Sequence, residues 1–107
     1  MLESRRTGDR LCVHLRGELD HCAADAMRGE LEAMLRDPGI RQLWLDFTDV
    51  SFMDSSGVGM IIGRYKTMKS RGGSVCACGL NPQMNRLFHL AGLHRIICVM
   101  GGQGEHE

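Results

Sequence analysis

The apolar pattern of this chain changes period at Asp54, and that change constrains the fold more than any other feature. Before it, Leu43, Leu45 and Phe47 alternate with Gln42, Trp44 and Asp46, the period of a strand with one buried face. After it, Val58, Ile61, Ile62, Tyr65 and Met68 recur at helical spacing and define one buried face. The spacing predicts a helix from about Ser55 to Ser70, closed by Gly72 and Gly73. Asp54 carries a side chain able to accept a hydrogen bond from the backbone N–H of Ser56 or Gly57, so it is predicted to cap that helix. A strand followed by a capped helix is half of a strand–helix–strand unit, the building block of a parallel sheet.

The flanking segments extend the alternation. Leu11, Val13 and Leu15 alternate with Cys12, His14 and Arg16 as a strand expected to end at Gly17. Met27, Leu31, Met34 and Leu35 form one face of a following helix, stopped at Asp37-Pro38-Gly39. Val75 to Cys78 reads as a third strand. Asn81-Pro82 starts a helix whose inward face is Met84, Leu87, Phe88 and Ala91, with Gly92 at its end. Ile96 to Met100 is expected to be a last strand, and residues 2 to 7 a weak edge strand. The expected fold is α/β: one small domain with a mixed, mostly parallel sheet of four or five strands. His14, Arg16, Gln42 and Asp46 leave one sheet face polar, so the helices are expected mainly on the other. The domain is expected to span residues 1–100, and the three glycines within 101–107 predict a disordered tail.

A chain of 107 residues makes one domain with a modest core. Its 13 Lys and Arg balance 13 Asp and Glu, so no general basic surface recruits nucleic acid or an anionic membrane. No apolar run approaches the roughly 18 residues needed to span a bilayer, and the start, Met1-Leu2-Glu3-Ser4-Arg5-Arg6, lacks an apolar signal region. Five cysteines, an odd count without the spacing of a disulfide scaffold, suit reduced thiols in a cytoplasm.

Three readings compete at Asp54-Ser55-Ser56. The plainest is a helix cap and nothing more. A nucleophilic serine needs a base and an oxyanion hole, yet the Gly-x-Ser-x-Gly elbow is absent and no histidine is tied to the site by local spacing. A regulatory phosphosite fits the position of Ser55 in the first helical turn, where free N–H groups and the helix dipole favour negative charge. The glycines at 57, 59 and 63 superficially resemble a dinucleotide fingerprint. Several residues are expected between Phe47 and the first of them, however, and the next strand ends in cysteine and glycine where an acidic residue is required. A Walker lysine–serine pair is also absent, so close packing is the expected reason for Gly59 and Gly63. The cysteines are expected to act as buried or half-buried small hydrophobes, and they and the five histidines lack zinc-ligand spacing. Arg64, Lys66, Lys69 and Arg71 are expected on a solvated face that complements the helix dipole.

Met53-Asp54-Ser55-Ser56-Gly57 and Gly63-Arg64-Tyr65-Lys66 strongly resemble the phospho-acceptor signature of the STAS family, the anti-sigma factor antagonists. Gly17-Glu18-Leu19-Asp20-His21 resembles that family's first strand-to-helix loop, and Arg86-Leu87-Phe88 with Ala91-Gly92-Leu93 its later helix and turn. The resemblance covers about residues 10 to 99 and is greatest to the sporulation-type members; general-stress members usually carry Ser-Thr at the acceptor. It implies a small mixed sheet with helices on one side, and a regulator that is not an enzyme. It implies Ser55 as the phosphorylated residue, and Asp20, His21, Asp54, Ser55, Ser56 and Gly57 as partner-binding residues. The implied partners are a serine kinase that is also an anti-sigma factor, which supplies the ATP or ADP, and a serine phosphatase. No catalytic residue, metal or cofactor is implied. A general-stress antagonist, or a non-switching STAS scaffold or lipid-transport module, is the alternative. The family's further C-terminal helix is expected to be missing.

Overall fold

The computed structural model describes residues 2–100. Five strands form one sheet whose spatial order is the chain order. Strand β1 (Glu3–Thr7) runs antiparallel to β2 (Arg10–Leu19), while β3 (Gln42–Met53), β4 (Ser74–Cys78) and β5 (Cys98–Val99) continue the sheet in parallel. The parallel joins are made by α1 (His21–Met34), α2 (Ser55–Ser70), and α3 (Pro82–Leu90) followed by a short 3-10 turn at Leu93–Arg95. The mixed five-stranded sheet is the expected α/β architecture. The tail expected to be disordered at 101–107, and any helix beyond it, lie outside the described residues.

Alternation explains how the sheet is covered. Leu11, Val13 and Leu15 on β2, and Leu43, Leu45 and Phe47 on β3, are buried in the core, as are Val75 and Ala77 on β4. They pack with Leu31 of α1, Ile61 and Met68 of α2, and Phe88 of α3, whose ring meets Phe47 edge-on at 5.9 Å between centroids. The alternate residues Cys12, His14, Trp44 and Asp46 are half-buried on the polar face, where the Arg10 guanidinium lies 4.6 Å over Trp44.

Several boundaries differ from the sequence expectation. Strand β2 does not end at Gly17 but passes through it, at a φ of 89° that glycine adopts freely, to reach Leu19. Register shifts between His14 and Arg16 and between Gly17 and Glu18 each place one extra residue on β3 opposite β2. Strand β3 likewise runs on to Met53, so only Asp54 separates it from α2, and the interval expected ahead of the glycines shrinks to Asp54, Ser55 and Ser56. Strand β5 is shorter than expected because the N–H groups of Ile96 and Ile97 both donate to Leu93 O, which draws them into the turn that follows Leu93–Arg95. Ala91 is exposed as the C-cap of α3 and faces away from the core.

The register shift on the polar face is held by a histidine between two carboxylates. His14 Nδ1 lies 3.1 Å from Asp46 Oδ2, and Nε2 lies 2.7 Å from Asp49 Oδ2. The bond to Asp49, and next the bond to Asp46, raise the His14 pKa above its ordinary 6.5 despite partial burial. Burial acts to raise the Asp46 pKa, but bonds from the Thr48 hydroxyl and N–H, with His14, outweigh it and hold the carboxyl below its usual range. A raised histidine pKa means that this clamp contributes fully below pH 6.5 and is lost as pH climbs through the folded value. Melting temperature should therefore fall as the pH rises above about 6.5, and His14→Gln should flatten that fall. An equally steep fall in the variant would place the pH dependence elsewhere.

Candidate functional site

The site is assembled where β2 and β3 end side by side. Leu19 and Met53 are register partners, and each strand is followed immediately by an aspartate and a helix. Both aspartates are N-caps: Asp20 Oδ1 accepts from Ala23 N at 2.9 Å, and Asp54 Oδ1 accepts from Ser56 N at 2.9 Å. The cap at Asp54 is the expected one. The cap at Asp20 was concealed in the sequence by its place in a loop, although an aspartate one residue before a helix is the signal for it. Two helix N-termini thus point to one end of the sheet, with their positive dipole ends together.

Ser55 is the first residue of α2 and is exposed. Its hydroxyl makes no hydrogen bond among the described residues. Ser56 differs in each respect: it is half-buried, its N–H is held by Asp54, and its Oγ lies 3.4 Å from His21 Nδ1. His21 reaches it from α1, a pairing of residues too far apart in the chain to be read from local spacing. A shallow cavity of about 260 Å³ lies beside this pair, lined by His21, Asp25, Arg28, Ser56 and Met60. The Asp25 carboxylate, which a serine–histidine pair would need as its orienting group, is bound by Arg28 at 2.6 Å, and that bond lowers its pKa. Among the described residues, no cluster of three or more His, Cys, Asp and Glu side chains is arranged to hold a metal ion.

Gly57 is buried under the helix entrance, not exposed with the residues around it. A Cβ built there would stand 2.7 Å from Met53 Sδ, so only glycine lets α2 seat this closely on the end of β3. Gly59 and Gly63 do not share this role. A Cβ at either meets nothing within 4 Å, which overturns close packing as their explanation. From the other side, Gln83 Nε2 donates to Met53 O at 3.0 Å and Asn81 Nδ2 to Ser51 O at 3.4 Å, bracing the strand end that carries Asp54. Asp54→Ala should cost about 1 kcal/mol in a denaturant titration by removing the cap, while leaving this bracing intact. An unchanged midpoint would mean that the helix entrance is held by its packing alone.

The expected solvated basic face is partly a structural one. Lys66 and Lys69 are exposed, but Arg64 is buried between α1 and α2, with Nη2 3.2 Å from Glu32 Oε2. Arg71 donates to the carbonyls of Leu35, Asp37 and Ile40 and so ties down the loop after α1. The cysteine expectation also needs correction: Cys76 is buried and Cys12 and Cys78 are half-buried, but Cys22 and Cys98 are exposed, and all five are free.

Comparison with known proteins agrees with this architecture. The STAS domain family matches residues 1–104. The anti-sigma F factor antagonist of Paenibacillus polymyxa is 38% identical over 89 residues, covering 83% of this chain and 76% of that protein. The anti-sigma-B factor antagonist of Listeria monocytogenes is 34% identical over 100 residues, covering 94% of this chain and 87% of that protein. Among solved structures, the Bacillus cell fate determinant SpoIIAA in its phosphorylated form superposes with a TM-score of 0.74 at 26% identity, over 96% of this chain and 94% of that one. With strand ends, paired caps and an exposed serine in one constellation, and the family match running nearly end to end, the chain belongs to the STAS domain family.

Proposed function

We propose that this protein is an anti-sigma factor antagonist switched by phosphorylation of Ser55. The observation that carries the reading is the contrast between two neighbouring hydroxyls. That of Ser55 is exposed at the first position of α2, whereas that of Ser56 faces His21. Dephosphorylated, the protein binds an anti-sigma factor that is also a serine kinase, and the sigma factor is released. The kinase supplies ATP, magnesium and the catalytic base, and this chain supplies the substrate hydroxyl and the docking surface. Phosphoryl transfer ends the association, and a serine phosphatase resets it. Asp20, His21, Asp54, Ser55 and Ser56 form the contact surface, and Gly57 sets the depth at which α2 presents it. The pathway is cytoplasmic. In support, the relatives of Paenibacillus and Listeria bear the name of antagonist, and the Bacillus relative has been solved with phosphate.

Sporulation is the favoured setting, because the 38% relative acts on an anti-sigma F factor by name and because Ser55-Ser56 resembles the sporulation-type acceptor. The 34% identity to an anti-sigma-B factor antagonist, over more of the chain, keeps a general-stress role as the second reading. Incubation with each candidate kinase and ATP, followed by phosphopeptide mapping, tests both. Phosphate on Ser55 from one kinase and not the other selects the pathway. Phosphate on Ser56, or incorporation that persists in Ser55→Ala, overturns the acceptor assignment.

A further inference from the structure

The sheet face left uncovered by helices carries four of the five cysteines. Cys12 lies on β2, Cys76 and Cys78 on β4, and Cys98 on β5. Cys76 and Cys98 are direct register partners on neighbouring parallel strands, so their side chains stand on the same side of the sheet. Neighbouring strands are about 4.7–4.9 Å apart, within the roughly 4.4–6.8 Å Cα separation that a disulfide spans. Neither of the other two cysteines on this face comes within that limit of Cys98. Trp44 of β3 lies between Cys12 and Cys76 in the same transverse row. Cys78 stands two residues further along β4, about 6.6 Å beyond the partner of Cys98.

The two thiols differ in the way that ordered oxidation requires. Cys98 is exposed, whereas Cys76 is only 5% exposed. Burial, and next the neighbouring Cys98 thiol, raise the Cys76 pKa far above the ordinary thiol range, so Cys76 stays protonated while Cys98 meets solvent. Strand β5 is two residues long and lies at the sheet edge, which leaves it free to adjust as the sulfurs approach.

We propose that Cys98 and Cys76 form a hydroperoxide-driven disulfide that fastens β5 to the sheet. The Cys98 thiol loses its proton to solvent, and its sulfur attacks one oxygen of hydrogen peroxide. The O–O bond breaks, hydroxide leaves and is protonated to water, and Cys98 is oxidised to the sulfenic acid. The oxygen of the Cys98 sulfenic acid takes the Cys76 proton as the Cys76 sulfur, thereby gaining thiolate character, attacks the Cys98 sulfur; the S–O bond breaks and the oxygen leaves as a second water. Two thiols and one peroxide become one disulfide and two waters, and a dithiol reductant reverses the modification. This chemistry is independent of the serine switch.

The test exposes the intact protein to hydrogen peroxide, alkylates the remaining thiols, and maps unreduced tryptic peptides by mass spectrometry. The expected result is a peptide containing Cys98 joined to the peptide containing Cys76, with the joined species lost on addition of dithiothreitol. It should persist in Cys78→Ser and vanish in Cys98→Ser, whose exposed position spares the core. In Cys76→Ser, Cys98 should run on to the sulfinic acid. A joined species that survives Cys98→Ser, a bridge from Cys98 to Cys78 or Cys12, or sulfinic acid at Cys98 in the unmutated chain without any bridge overturns the proposal.

Discussion

Phosphorylation at Ser55 is expected to lower affinity for the kinase more than tenfold while leaving the fold intact. A phosphoryl group adds roughly −1.5 to −2 charge and three acceptor oxygens. In the free protein it stands exposed at the N-terminus of α2, where the dipole offsets added negative charge by some 0.3–1 kcal/mol. In an interface shaped around a hydroxyl, the same group is desolvated beside the carboxylates of Asp54 and Asp20. An unpaired charge so buried costs on the order of 2–5 kcal/mol, which more than accounts for the tenfold loss. Circular dichroism and melting temperature should therefore change little, while binding collapses. Ser55→Asp should reproduce part of the loss, since a carboxylate has less charge and fewer oxygens, and Ser55→Ala should bind and stay bound in the presence of ATP. A phosphorylated protein that unfolds, or that binds as tightly as before, sinks the exclusion mechanism.

Gly79→Ala is expected to be the most damaging small substitution, at roughly 2–5 kcal/mol. Two effects add at this position. Gly79 has φ of 75°, in the left-handed region where an L side chain is strained. A Cβ there would also stand 2.7 Å from Thr48 N and 3.0 Å from Thr48 Cα, and backbone cannot swing aside as a side-chain tip can. The same Thr48 bonds Asp46 through its N–H and hydroxyl, so displacement would reach the His14 clamp. Gly72→Ala separates the two effects. Its φ is 74°, yet nothing lies within 4 Å of the added carbon, so only the conformational cost of roughly 1–2 kcal/mol should appear. Equal losses in urea titrations of the two variants would show that Thr48 yields freely.

What the sequence disclosed was local, and what it withheld was made by distant pairing. The cap at Asp54 and the helix from Ser55 to Ser70 were legible because their signals lie within one helical turn of the boundary they mark. The second half of β3 was not, because after Phe47 the buried residues are Val50 and Met53, three apart, and a period of two cannot survive a bulged register. Gly17 read as a stop because glycine usually marks a strand's end, while here it carries the strand on at a positive φ between the two register shifts. At the site, Ser55 could be singled out from its place on the helix. The partner of Ser56 could not, since His21 is brought to it only when β2 and β3 pair. Arg64 and Arg71 escaped for a related reason. A helix's last turns favour cations whether solvent or a neighbouring loop receives them, and only the packing of α1 on α2 decides which.

The two borders of the sheet bear on how the protein behaves at high local concentration. One border is β1, with all five residues exposed and Glu3, Arg5 and Arg6 among them. The other is β5, two residues long. A free strand invites another chain to extend the sheet, and charge on one border and brevity on the other both discourage that addition. Neither border therefore offers a long bare strand on which a second copy of the chain could extend the sheet towards a fibre.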